Sequence, residues 1–173
     1  MSGRRAVFLD RDGTIIEDSG FIRDPERVRL LPAAGDAIRA LRDAGYLAIV
    51  VTNQSGIARG ILTEPEYQAA ADRVEALLAA EGVRIDATFM CPHHPDVTGP
   101  CQCRKPGTLH YRQAAERFGL DLAECWWVGD RPTDVEPAQV LGGRGILLGE
   151  GMDLRGAVEQ ILGSEPPGVG GEK

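Results

Sequence analysis

Tyr46-Leu47-Ala48-Ile49-Val50-Val51, followed by Thr52-Asn53-Gln54-Ser55-Gly56, is the stretch on which the fold turns. A strand with one face in water alternates apolar and polar side chains. A strand buried on both faces of a parallel sheet reads instead as a nearly continuous apolar run. Tyr46–Val51 is such a run, and it stops at a hydroxyl, two amides and a glycine-flanked loop. In open α/β sheets, ligands sit beyond the carboxyl ends of the strands. The same stretch therefore predicts a central strand and the edge at which chemistry is to be sought.

Working outward, similar short runs occur at Ala6–Asp10, Ala87–Cys91, Cys125–Gly129 and Gly145–Leu148. Helical patterns lie between them. Ala33, Ala37, Ile38, Leu41 and Ala44 recur at helical spacing before Gly45, and Thr63-Glu64-Pro65-Glu66 reads as a capping box opening a helix to about Glu81. Further helices are expected over Thr108–Phe118, Thr133–Leu141 and Leu154–Leu162, with Pro137 giving the fourth an unusual first turn. Alternating strands and helices predict an α/β fold: a three-layer, Rossmann-like parallel sheet with helices on both faces.

The chain has 173 residues, a formal charge of −7, and is 43% hydrophobic and 26% charged. One domain over residues 1–163 is expected, with a Pro/Gly-rich tail, 164–173, expected to be disordered. The acidic balance argues against nucleic acid as partner but leaves room for a small phosphorylated substrate, which needs only a few local cations. Ala6-Val7-Phe8-Leu9 is too short for a signal-peptide core or a membrane span, so a cytoplasmic monomer without membrane contacts is expected.

Chemistry-bearing residues do fall at the strand ends. Asp10-Arg11-Asp12-Gly13-Thr14 follows the first strand; if extension continued, Asp10 and Asp12 would share a side. Two adjacent carboxylates can divide into one ionised group and one that carries a proton. Thr52–Gly56 offers donors for a phosphate. Arg104-Lys105-Pro106 brings two cations, and Gly129-Asp130-Arg131-Pro132-Thr133-Asp134 follows the fourth strand. Each segment alone also reads as an ordinary turn or solvated loop. Cys91-Pro92-His93 and Cys101-Gln102-Cys103 form a C-x-H…C-x-C set, four ligands sufficient for a closed tetrahedral, structural zinc site. Packed thiols or a redox pair are the other readings; His94 is a rival ligand, and Cys125 reads as a core thiol.

The order D-x-D-G-T, strand-terminal Thr, Lys, G-D-x-x-x-D resembles the haloacid dehalogenase-like superfamily of phosphohydrolases over residues 6–150. The resemblance implies Asp10 as nucleophile and Asp12 as general acid/base, with Thr52 and Lys105 stabilising the transferring phosphoryl group. It implies Mg2+ held by Asp10, the backbone carbonyl of Asp12 and Asp130, with Asp134 reaching the metal through water. The cysteine loop, Asn53–Gly60 and Cys103-Arg104-Lys105-Pro106 narrow the resemblance to D-glycero-D-manno-heptose 1,7-bisphosphate 7-phosphatases. Histidinol-phosphate phosphatases are the alternative. Asp18, Ser19, Gly20, Phe21, Thr52, Asn53, Gln54, Ser55, Arg104, Lys105 and Arg131 would then contact a small phosphorylated sugar. Only the zinc loop, shorter than in some relatives, and Asp18–Leu31 are placed to shape the cleft, and neither is long enough for a large cap. A mutase or phosphotransferase, which usually carries one, fits less well. A zinc-stabilised binding module on a retired scaffold fits poorly with Asp10, Asp12, Lys105 and Asp130 all in place.

Overall fold

A computed structural model of the chain describes residues 3–164. Its strands, β1 (Arg5–Leu9), β2 (Tyr46–Asn53), β3 (Ala87–Cys91), β4 (Trp126–Gly129) and β5 (Arg144–Leu147), form one parallel sheet in the order β3-β2-β1-β4-β5. The central β1 pairs with β2 (Leu9 beside Val50) and with β4 (Leu9 beside Val128). Alternation within the apolar run of β2 accounts for its composition: Tyr46, Ala48 and Val50 enter one core, Ile49 and Val51 the other.

The first core is closed by α1 (Ala34–Asp43), α2 (Glu64–Ala80) and α6 (Leu154–Gly163), through Ile38 and Leu41, Val74 and Leu78, and Val158 and Ile161. On the second face lie α4 (Leu109–Phe118) and α5 (Pro132–Leu141). There Phe8, Tyr111 and Trp127 meet with ring centroids 4.9–5.6 Å apart. Each such side chain contributes about 1.5–3 kcal/mol by leaving water. The short α3 (Pro95–Thr98) lies in the loop after β3, and 3-10 turns occupy Pro25–Arg27 and Leu122–Glu124.

The expected elements agree with these to within a residue or two, and the capping box is present: Glu66 N–H donates to Thr63 Oγ1 (3.2 Å) and Thr63 N–H to Glu66 Oε1 (3.0 Å). Pro137 differs from expectation. Pro132 opens α5, so Pro137 falls in the second turn, and the helix runs through it to Leu141. The bond it cannot make is the one to the Thr133 carbonyl.

The segment between β1 and α1 is pinned rather than free. Ile15, Ile16, Ile22 and Val28 are buried, and Leu31 N–H returns to the Ile15 carbonyl at 2.9 Å. Among the described residues no insertion forms a large cap. The tail expected over 164–173 lies outside the described residues, apart from Ser164 at the end of α6. No helix among the described residues is long and apolar enough to cross a membrane.

Candidate active site and metal centre

One ammonium group joins the ends of three strands. Lys105 Nζ donates to Asp10 Oδ1 (2.9 Å), Asp134 Oδ1 (2.7 Å) and the Val51 carbonyl (2.8 Å), which uses all its protons. Asp10 follows β1, Val51 lies in β2, and Asp134 is in the first turn of α5 after β4. Lys105 itself comes from the loop after β3. Asn53 holds that loop: its Oδ1 accepts from Lys105 N–H at 3.1 Å. Asn53, expected to meet substrate, thus also positions the lysine.

Carboxylates outnumber cations here. Asp10, Asp130 and Asp134 bring oxygens within 4.8 Å of one another. Burial pushes the Asp10 carboxyl up to about 7; Lys105 opposes the rise and Asp134 adds to it. Burial and then Asp134 raise Asp130 as well. Asp130 Oδ1 is buried and has no hydrogen-bond partner. Room for these groups is made by glycines. Gly13 sits at φ +84°, and a Cβ on it would lie 2.2 Å from Asp130 Oδ2; one on Gly129 would lie 2.3 Å from Asp134. Surplus negative charge and an unsatisfied carboxylate oxygen suit a hard divalent cation such as Mg2+, which prefers oxygen ligands. The oxygens of Asp134 already accept from Lys105 and, at 3.0 Å, from Arg131 N–H, so its first task is to hold the lysine.

Asp12 reaches the site by a turn, not by continued extension. Strand β1 ends at Leu9, and the N–H groups of Thr14, Ile15 and Ile16 fold back on the Arg11 carbonyl. The Asp12 carboxylate accepts from Gln54 Nε2 (2.9 Å) and Arg11 Nη2 (3.2 Å). It is not among the clustered metal-facing carboxylates, which leaves its backbone carbonyl as its possible ligand atom. Gln54 Nε2 also donates to Thr52 Oγ1 at 2.9 Å, and both residues are buried.

These groups open onto a cleft of about 750 Å³. Of the expected contact residues, Asp18, Gly20, Phe21, Asn53, Gln54, Ser55, Arg104, Lys105 and Arg131 line it, together with Asp10 and Asp12. Ser19 and Thr52 do not, Thr52 lying buried beneath the wall. The Phe21 ring packs over Gly56, where a Cβ would lie 2.7 Å from it. Arg131 pairs across the cleft with Asp18 (Nη2–Oδ2 3.6 Å) rather than with Asp134 or Glu136. Arg104 Nη1 donates to the His93 carbonyl at 3.4 Å.

That contact ties the cleft to the cysteine cluster. Cys91, His93, Cys101 and Cys103 converge: Cys91–Cys101 is 3.8 Å, Cys101–Cys103 3.7 Å, Cys91–Cys103 3.0 Å and His93 Nδ1–Cys103 3.2 Å. Sulfurs about 2.3 Å from a tetrahedral centre lie about 3.8 Å apart, and bonded sulfurs about 2.05 Å apart. The spacing therefore suits a metal tetrahedron and not a disulfide. Burial raises the Cys91 thiol to about 12. Burial also acts against ionisation of Cys101, but the Arg104 N–H and neighbouring donors outweigh it and bring that thiol to about 7. The rival His94 turns away, its Nδ1 accepting from Asp96 N–H. Cys125 is a buried core thiol, raised by burial to about 11.

Known proteins resemble this chain in sequence and fold. A HAD-hydrolase-like family model matches residues 102–169. The chain is 38% identical to the D-glycero-beta-D-manno-heptose-1,7-bisphosphate 7-phosphatase of Haemophilus ducreyi, over 81% of this chain and 80% of that one. It is 37% identical to the protein of that name from Rhodopseudomonas palustris, covering 92% and 91%. The chain belongs to the haloacid dehalogenase-like heptose-bisphosphate phosphatase family. Within that superfamily its fold matches the B. bronchiseptica D,D-heptose 1,7-bisphosphate phosphatase complexed with magnesium and phosphate (TM-score 0.81, 35% identity, 94% and 99% coverage). A putative HAD-like phosphatase from Mesorhizobium loti is as similar in fold (TM-score 0.81, 33% identity, 93% and 88% coverage).

Arg11 was not singled out by the sequence. It is buried, and among the described residues its guanidinium hydrogen-bonds only to Asp12. Its sole sequence signal was a cation between two motif aspartates.

Removing one member of a buried ion pair leaves uncompensated charge and costs about 3–5 kcal/mol. Lys105→Met, measured by urea unfolding without divalent metal, is expected to lose about 3 kcal/mol or more. Adding Asp134→Asn should recover at least about 1 kcal/mol of it, because one stranded charge is then gone. Strictly additive losses would mean that the lysine does not hold the carboxylates together.

Proposed function

We propose that this chain is a Mg2+-dependent phosphatase that removes the C7 phosphate of D-glycero-D-manno-heptose 1,7-bisphosphate through an aspartyl-phosphate on Asp10. The observation that carries the reading is the Asp10–Lys105–Asp134 cluster beside the unsatisfied Asp130 Oδ1, at the head of a cleft with two further arginines. The names of the relatives, and the complex of the B. bronchiseptica enzyme with magnesium and phosphate, support the metal and the substrate class.

Asp10 attacks phosphorus, and the bond to the C7 oxygen breaks. That oxygen takes a proton from Asp12. Asp12, now ionised, takes a proton from water; the water oxygen attacks phosphorus, phosphate leaves, and the Asp10 carboxylate is restored. Attack by a carboxylate on a phosphate dianion is opposed. Unit charges 4 Å apart repel by about 4 kcal/mol at an effective dielectric of 20, and a dianion roughly doubles this. Lys105 offsets part of the term. Bound to Asp10, the Asp12 carbonyl and Asp130, Mg2+ would supply the remaining positive charge. Thr52, from below, accepts from the Gln54 amide that also donates to Asp12, and so keeps Gln54 against the carboxylate.

Arg104 and Arg131 are surplus to one phosphate, and guanidinium groups suit a second. The Arg131–Asp18 pair is largely exposed, worth about 0–1 kcal/mol, and is easily exchanged for a phosphate. Zn2+ on Cys91, His93, Cys101 and Cys103 would fix the backbone of the loop that bears Arg104 and Lys105. The enzyme is expected to work in the cytoplasm, as a monomer.

Asp10→Asn should abolish phosphate release while keeping the fold, since an amide cannot serve as nucleophile; retention of a tenth of wild-type turnover would rule out the covalent route. Protein purified without chelator should contain about one zinc per chain by metal analysis, and its removal should weaken substrate binding before the core unfolds. Arg104→Ala should lower kcat/KM for the heptose bisphosphate roughly ten- to hundred-fold while affecting a monophosphate much less, the loss of a charge-assisted contact of about 1.5–3 kcal/mol. Equal losses on both would remove the second-phosphate role, and a preference for histidinol phosphate in the same assay would displace the heptose substrate.

A further inference from the structure

Arg11 occupies the position between the two motif aspartates, and its side chain points inward. Only 5% of it is exposed. Burying a guanidinium is costly unless it is well paired. Every side-chain hydrogen bond it makes goes to one residue, Asp12: Nε to Oδ1 at 3.4 Å, Nη2 to Oδ1 at 3.2 Å and Nη2 to Oδ2 at 3.3 Å. Its Nη1 is buried without a partner. An arginine serving only the scaffold would spend these donors on helix ends or distant carboxylates. This one spends them on its neighbour and leaves one unused.

The rest of its surroundings fix its direction. The Tyr67 ring of α2 lies 5.5 Å from Arg11 Cζ, a cation–π distance. Tyr67 is itself buried, as are Ala70 and Val74 in the core-facing stripe of the same helix. The Arg11 carbonyl is held by the turn of Thr14, Ile15 and Ile16. On the far side of the Asp12 carboxylate, Gln54 Nε2 donates to Oδ2 at 2.9 Å. Asp12 is therefore clamped between a guanidinium and an amide while it lines the cleft.

We infer that Arg11 is a positioning residue for proton transfer: it fixes the Asp12 carboxyl in the orientation from which the leaving oxygen is protonated, while touching no substrate. Arg11 is not among the residues that line the cleft, so among the described residues it reaches the site through its bonds to Asp12. The inference rests on the general-acid role proposed for Asp12. General acid–base catalysis contributes roughly 10²–10⁴-fold, and a misaimed group forfeits much of it.

A leaving group that needs little protonation separates this from a structural role. kcat/KM, which covers events up to formation of the aspartyl-phosphate, is to be compared for the heptose bisphosphate, an alkyl phosphate, and for p-nitrophenyl phosphate, whose phenolate departs readily. The variants are Arg11→Met, which keeps the buried stem, Arg11→Lys, which keeps the charge without the fork, and Asp12→Asn as reference. Arg11→Met should lose at least about ten-fold more on the alkyl than on the aryl substrate, in the same sense as Asp12→Asn. Arg11→Lys should show a smaller loss with the same bias, and carries the test if Arg11→Met does not fold by thermal melting. If Asp12→Asn discriminates between the substrates while both Arg11 variants lose equally on them, Arg11 is only structural and the inference is overturned. If Asp12→Asn does not discriminate, the general-acid role fails, and the inference falls with it.

Discussion

The ammonium of Lys105 is the interaction on which the remainder of the structure depends. Its three acceptors lie 95, 54 and 29 residues away along the chain, in segments that follow or end three adjacent strands. Without it, the carboxylates of Asp10 and Asp134 would face each other in a region almost closed to water, and neither could stay ionised at little cost. With it, the Asp134 helix is drawn against β4, the loop from β3 is drawn over β2, and Asp10 is held at the lip of the cleft. Asn53 adds a backbone clasp to the same loop. A single cation thus ties together side chains and backbone from segments far apart in the chain, over strands already paired in the sheet.

That cation is not enough for the charge assembled around it. Asp130 contributes a third carboxylate, with an oxygen that nothing in the described residues satisfies. Proteins rarely leave a buried acceptor so placed unless something else completes it. The glycines point the same way. Gly13 and Gly129 each stand where one extra carbon would collide with Asp130 or Asp134, so the backbone itself has been thinned to let these carboxylates approach. The fold concentrates negative charge at one spot with considerable specificity, and the cysteine loop delivers the opposing positive residues to the same spot.

Much of this was legible in the sequence, and the limits of legibility have physical causes. The apolar run of β2, the capping box at Thr63 and the positions of Asp10, Thr52, Lys105 and Asp130 follow from local patterns, because strand periodicity and helix caps are decided within a few residues. The four zinc-type ligands were legible for the same reason: their spacing is short. What could not be read were choices among partners. Asp134, expected to reach a metal through water, lies in the carboxylate cluster but also takes Lys105 and the Arg131 N–H; the Arg131 side chain pairs with Asp18; Gln54 turns down to Thr52 and across to Asp12. Each choice depends on how loops distant in sequence close over the sheet. β1 stops at Leu9, one residue short of the expected Asp10, and the turn at Arg11, whose carbonyl takes three N–H groups, is what carries Asp12 to the site.

The order of strands across the sheet has a consequence in time. β1 is central, yet it precedes both its neighbours in the chain. At roughly 5–20 residues per second, the 95 residues between Asp10 and Lys105 take about 5–20 s to synthesise. For that interval the chain has neither β4 nor the lysine that Asp10 will pair with. Parallel neighbours joined through long crossovers form late in folding, because the loop must close before its contacts can repay it. The pairing of Asp10 with Lys105 and Asp134 therefore has to come last, once the segment through Asp134 has left the exit tunnel.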